Sequence, residues 1–360
     1  MRRRKNYRLT SVQGAVSIYY RRLAFYVGRE KKLVAEVPVS NILRALCHFR
    51  LLVRLFRLEP RCVEMIDENL MIFCLMHKVW ILNIETAAIQ VIFEARPGFS
   101  DPLNFCKVGG HVYWGDYGNN DKRDAVRIYR VDSSLNVETV YGFPQGTIRH
   151  IHNIIYSDSS DCFWILTGDN DKDAGIYKSD RWFEQVEPVR IGEQNYRAVV
   201  AFPYKKGIIY ATDSVEKENH IFVCTADNNY QIVAITGING SCIYGTEIKD
   251  WYIFSSTVEP PEGRGLRNLF SDRLGGGIKS RDVHVVAVKK NGLSDIRIIA
   301  KYKKDRWPMK LFQYGAVMFP AGLNDMERLL LCPIACEGHD GDTIEIQFDT
   351  KYDKSWDDKY

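Results

Sequence analysis

From Val63 onward the chain repeats one pattern: apolar run, short gap, apolar run, turn, apolar run, turn, apolar run. Units begin near Val63, Asn104, His152, Arg197, Cys242 and Phe312. Most starts lie about 45 residues apart, the spacing of four-stranded propeller blades. Residues 111–114, 162–166, 207–211 and 251–254 are apolar over strand length. Turn-forming residues separate such runs, as at Asp132, Ser133 and Ser134, or at Asn291 and Gly292. The pattern predicts an all-β fold, a β-propeller of six or seven blades with seven favoured. Residues 15–37 hold two further candidate strands, 23–27 and 33–37, and predict another blade closed by the chain ends.

Two segments depart from the repeat. Residues 260–281 carry Gly263, Gly265 and Gly275 to Gly277, and predict a mobile loop inserted in one blade. Residues 41–58 place Ile42, Leu46, Phe49, Val53 and Phe56 at helical spacing, with Arg50, Arg54 and Arg57 on another stripe. They predict one short helix between blades. It either packs on the propeller rim with solvated arginines or rests on an anionic membrane surface. The expected organisation is therefore a basic N-terminal part (1–60), a propeller body (61–350) and a polar tail (351–360).

Composition agrees with strands: 12% of residues are aromatic, among them 20 Tyr and 17 Phe. The net charge of +4 hides an asymmetry. Residues 1–60 hold 14 Lys and Arg against 3 Asp and Glu, so the remainder is acidic. No apolar stretch follows Arg2 to Lys5 as in a secretory signal, and no run is long enough to span a bilayer. The nine cysteines are scattered, and only Cys332 and Cys336 are close. Free thiols in a reducing compartment, and a cytoplasmic location, are expected. Phosphate-binding Gly-rich loops, dinucleotide fingerprints and Gly-x-Ser-x-Gly elbows are missing. No basic patch interleaved with aromatics points to nucleic acid outside the N-terminal part.

Blade geometry indicates where chemistry gathers. The second strand runs antiparallel to the first, so the start of one and the end of the other share a face. Second strands end in Trp114, Gly115, Asp116 and Tyr117, then Asp169, Asp213 and Glu259. First strands begin with Arg149, His150 and His152, then Gln194 and Arg197, then Tyr244 and Glu247, then Gln313 and Tyr314. These residues are expected to converge on one channel mouth. His150 and His152, two apart, share a strand face. They are either metal ligands, a general base or structural. No third His or Cys stands at ligand spacing, so no metal is expected, although carboxylates could complete a mixed site. Arg197 suits an anionic ligand group; Trp114, Tyr117, Tyr244 and Tyr314 offer flat faces for sugar rings.

Residues 147–153 (TIRHIHN), 164–169 (WILTGD) and 176–180 (IYKSD) resemble bacterial BNR/Asp-box proteins of the sialidase-like superfamily. So do 194–197 (QNYR), 256–259 (STVE) and 312–315 (FQYG). The resemblance spans roughly residues 62–335. Ser179 and Asp180 keep part of the Asp-box, whereas its Gly and later Trp are replaced. The resemblance implies a carbohydrate-associated propeller: lyase, glycoside hydrolase or non-catalytic binder in surface-polysaccharide production. As a lyase, His152 or Tyr314 would remove a proton beside a uronate carboxylate held by Arg197, with Asp169 and His150 alongside. As a hydrolase, two of Asp116, Asp169, Asp213, Glu247 and Glu259 would act as acid and base or nucleophile, with Trp114, Tyr117, Arg149, Gln194, Tyr244 and Gln313 around the acidic saccharide.

Overall fold

The continuously apolar runs become second strands of four-stranded antiparallel sheets, of which there are seven. Leu70–Leu75, Cys162–Gly168 and Gly207–Thr212 are buried along nearly their whole length. Each is covered on both faces by neighbouring blades, which is why polar alternation is missing from them. Outermost strands such as Ile232–Ile238 face water on one side and are largely exposed or half-buried. Aromatic contacts fill the gaps between blades. Phe25 meets Phe73 at 4.8 Å, and Tyr113 meets Phe163 at 4.9 Å, across successive blade pairs.

This computed structural model describes residues 2–347 apart from 15, 264, 266–268, 324 and 325, so the expected tail at 351–360 lies outside the described residues. The innermost strands of blades one to seven are Arg8–Gln13, Val63–Met65, Cys106–Val108, His150–Ser157, Ala198–Tyr204, Cys242–Ile248 and Ala316–Met318. The ring is a seven-bladed β-propeller. Blade seven continues through Arg328–Ile334 and Thr343–Gln347 and is completed by Arg2–Arg4, with Arg2 opposite Glu345 and Arg4 opposite Thr343. One strand from the opposite end of the chain thus closes the last blade, covering the edge of Thr343–Gln347 and leaving a three-residue outer strand.

A β-bulge recurs near the start of the innermost strand. Pairing skips one residue at Thr10 in blade one, His152 in blade four, Val199 in blade five and Ile243 in blade six. A bulge re-aims a side chain locally. Three of these extra residues, His152, Val199 and Ile243, line the same central cavity.

The linker from blade one to blade two forms two helices, not one: α1 (Asn41–Leu46), capped by Ser40, and α2 (Arg50–Leu55). Of the three arginines expected to be solvated, Arg57 is exposed, Arg50 is half-buried and Arg54 is buried. Arg54 is 1% exposed; its Nη1 lies 2.5 Å from Asp305 Oδ2, and its Nε donates to the Phe312 carbonyl at 2.6 Å. Arg50 pairs with Asp340 and Glu59, both at 2.8 Å. The apolar residues Ile42, Phe49 and Phe56 face outward instead. The helix α2 buries one residue of each stripe, Val53 and Arg54, so burial does not follow the predicted apolar face. Arg50 and Arg54 fasten the linker to acids from the far end of the chain, near α3 (Met309–Phe312). No helix among the described residues is long and apolar enough to cross a membrane.

The three-glycine stretch also departs from expectation. Gly277 N donates to the Val215 carbonyl at 2.8 Å. A Cβ at Gly277 would stand 1.9 Å from the Lys217 carbonyl. Here glycine permits close backbone packing onto blade five.

Candidate functional site

Chain direction in every blade brings first-strand starts, second-strand ends and the interblade linkers to one face. A cavity of ≈ 740 Å³ opens there at the ring axis. Of the residues expected at this mouth, Tyr117, Arg149, His152, Asp169, Arg197, Asp213, Tyr244, Glu259, Gln313 and Tyr314 line it.

His150 and Gln194 stand just behind. His150 lies under the Tyr117 ring, with centroids 4.6 Å apart. Gln194 Nε2 donates to the Asp169 carbonyl at 2.9 Å.

Three further expected residues lie away from the cavity. Trp114 is 1% exposed and packs on Phe93, Phe105 and Tyr129, because its strand position points between blades. Asp116 accepts from Arg96, Tyr129 and the Arg127 backbone, and so fastens the second strand of its blade to the third. Glu247 sits near the far end of a first strand that already begins at Cys242, and pairs with Lys290 at 2.9 Å.

Asp169 is the hub. Its Oδ1 lies 3.2 Å from His152 Nε2, 3.4 Å from His150 Nε2 and 3.4 Å from Arg197 Nη2; Oδ2 is 3.4 Å from Arg149 Nη1. The two histidine Nε2 atoms are 3.0 Å apart. Each imidazole is oriented from behind: His150 Nδ1 meets the Gly118 carbonyl at 2.5 Å, and His152 Nδ1 the Ala198 carbonyl at 2.9 Å. The fit depends on Gly168, where a Cβ would stand 2.2 Å from His152 Cε1. Among the described residues, His150, His152 and Asp169 are the group whose donor atoms reach metal-ligand spacing.

Beside the hub lies an acid pair. Asp213 and Glu259 are each 6% exposed. Burial pushes the Asp213 carboxyl well above the ordinary range, against the opposing Arg197 charge. Burial also raises Glu259, although Ser241 and Thr257 donate to it. Arg197 is committed to acids: Asp213 Oδ2 at 3.5 Å, Glu262 Oε1 at 3.0 Å and Asp169. Burial holds Tyr314 above its usual value and Tyr117 up to about 12, so both phenols are protonated at neutral pH. Burial lowers His152.

The sequence reading missed the opposite wall. Arg8 from the innermost strand of blade one, and Arg57 and Arg61 from the linker after it, all line the cavity. None makes an ion pair among the described residues. Arg57 Nη2 donates to the Lys310 carbonyl at 3.2 Å, and Arg61 Nη1 to the Asp101 carbonyl at 3.1 Å. Arg61 lies 5.4 Å from the Tyr117 ring centre. For Arg8 and Arg57 the signal was present as the charge asymmetry of residues 1–60, with Arg61 just beyond it. Gln313 has φ +67° and ψ 153°, a region nearly confined to glycine, and its buried Oε1 accepts no hydrogen bond among the described residues.

No protein-family profile matches the chain, and no curated protein sequence does. Membership of the BNR/Asp-box family is therefore not shown. Solved structures are similar in fold. The WD40 propeller domain of Doa1 has TM-score 0.54 at 8% identity, covering 97% of this chain and 95% of that one. An oligogalacturonate lyase in complex with manganese has TM-score 0.51 at 7% identity, covering 90% and 88%. The oligogalacturonate lyase of Vibrio parahaemolyticus has TM-score 0.50 at 9% identity, covering 88% and 87%. At such identities the likeness is one of fold, a propeller whose known examples include glycan-active enzymes.

Proposed function

We propose that the cavity binds an acidic oligosaccharide and cleaves it by β-elimination. The observation that carries this reading is the wall of Arg8, Arg57 and Arg61: three guanidinium groups facing the cavity, none within ion-pair distance of a carboxylate among the described residues. Arg8 is buried, and a desolvated guanidinium is costly unless an anion meets it; the planar donors of all three suit a carboxylate. Tyr117, Tyr244 and Tyr314 add flat faces for sugar rings. The oligogalacturonate lyases among the structural neighbours support an acidic saccharide at the level of ligand class.

For elimination, a guanidinium neutralises the uronate carboxylate and makes the adjacent C–H more acidic. A base takes that proton, the C–O bond to the next sugar breaks, and an acid protonates the departing oxygen. His152, which burial favours in its neutral form, takes the proton. Asp213, whose carboxyl burial raises well above the ordinary range, is placed to supply the other. Arg197, already surrounded by three acids, holds those carboxyl groups in position instead of serving as the main substrate ligand.

Incubation with oligogalacturonate, oligoalginate and a neutral oligosaccharide tests the reading. The expected result is an unsaturated product absorbing in the near ultraviolet from an acidic substrate only. Absence of turnover with every acidic substrate overturns the elimination; if acidic oligosaccharides still bind, the chain is a glycan-binding protein.

A further inference from the structure

The geometry points to a divalent transition-metal site formed by His150, His152 and Asp169. A carbonyl oxygen only accepts, so His150 Nδ1 and His152 Nδ1, facing the carbonyls of Gly118 and Ala198, both carry hydrogen. In the neutral rings both Nε2 atoms then present lone pairs. These lone pairs face each other at 3.0 Å and face Asp169 Oδ1 at 3.2 and 3.4 Å.

Three electron-rich atoms converging at van der Waals contact repel unless positive charge lies among them. One proton bridges only one of the three pairs. A metal ion satisfies all three at once. A metal about 2.1 Å from two ligand atoms holds them about 3.0 Å apart at a right angle and about 3.4 Å apart at the tetrahedral angle. The observed separations span that interval.

The surroundings agree. Backbone acceptance of the far ring N–H is the usual support of a metal-bound histidine. Two imidazoles and one carboxylate on one side of an ion suit Mn²⁺, Fe²⁺ or Zn²⁺ better than an all-oxygen ion such as Ca²⁺. His152 and Asp169 line the cavity, so the ion is reachable and its remaining positions face the saccharide space. Arg149 and Arg197 brace Asp169 from the sides. The inference stands independently of the elimination reading but bears on it. With its lone pair committed to an ion, His152 cannot take a proton, and elimination then requires a different base in the cavity.

The test uses the whole chain, stripped with a chelator and dialysed. Mn²⁺ is titrated in, with free ion read by electron paramagnetic resonance, and Zn²⁺ is titrated calorimetrically. One ion per chain is expected. His152→Gln and Asp169→Asn are expected to weaken uptake about 10–100-fold or more, with circular dichroism confirming that each variant keeps its strands. Failure of the wild-type chain to take up either ion overturns the site, as does uptake unchanged in both folded variants. Because ion uptake is read without substrate, its failure is distinct from failure of glycan cleavage.

Discussion

Arg54 and Asp305 are 251 residues apart in sequence, yet Nη1 and Oδ2 lie 2.5 Å apart, with Arg54 1% exposed. The same guanidinium also reaches Asp340 at 3.2 Å. This contact fastens the linker after blade one to the segments around blade seven. Removing Arg54 leaves Asp305 with Lys304 and Asp340 with Arg50, but takes away its charged hydrogen bonds to Asp305 and the Phe312 carbonyl. Arg54→Met is expected to destabilise the fold by about 1.5–3 kcal/mol, measured by denaturant unfolding. A loss below about 1 kcal/mol would mean that the linker is held mainly by its apolar contacts.

Arg57 and Arg61 are expected to set the preference for acidic ligands. Arg61→Gln should weaken an acidic oligosaccharide by about 10-fold or more, since a hydrogen bond to a charged group contributes about 1.5–3 kcal/mol. Binding of a neutral oligosaccharide should change little. Titration calorimetry at two salt concentrations checks this; equal losses for both ligands would show that Arg61 shapes the cavity without reading charge.

The acids divide into two pH windows. Asp213 and Glu259 are raised in the fold, so the folded state keeps protons that the unfolded chain releases. Their contribution to stability is fully present below the ordinary carboxylate range near about 4 and declines as pH rises toward the raised folded values. Asp340 behaves oppositely. Burial raises it, but Arg50 and Arg54 outweigh burial and hold it low. Its contribution is present above the ordinary range and lost as pH falls below it. Unfolding followed across pH for the native chain and for Asp213→Asn should show a shallower decline toward alkaline pH in the variant. Parallel curves would contradict the raised Asp213.

Gln313 occupies a backbone region that suits glycine, at a cost of about 1–3 kcal/mol. Gln313→Gly is expected to stabilise the chain by about 1 kcal/mol after the added freedom of the unfolded glycine is counted. The same change should weaken the acidic ligand, because the cavity loses a buried amide oxygen. Unfolding and binding measured on one preparation test this pair of effects. A variant both less stable and equally able to bind would remove the argument.

The blade repeat was legible because apolar strands buried on both faces leave continuous runs. Five of the six expected unit starts lie within two residues of an observed innermost strand; Phe312 lies four before Ala316. The innermost strand of blade one, Arg8–Gln13, escaped notice because its polar residues are buried inward, including Arg8 and Ser11. Helical spacing showed that residues 41–58 have two faces, but not which face lies inward: Arg54 is inside and Phe49 outside. The pairing of His150 with His152 came from strand alternation, although the actual approach depends on a bulge that local sequence does not announce. Asp169 as their shared partner is a contact between strands, visible only once register is known.

The ring closes by borrowing Arg2–Arg4 for blade seven, and the cavity draws on both sides of that seam: Arg8 and Arg57 from one, Gln313 and Tyr314 from the other. The recognition surface is therefore a property of the sealed circle. A chain that has folded six blades and not yet captured its first strand owns all the chemistry in its sequence, but has no complete place to use it.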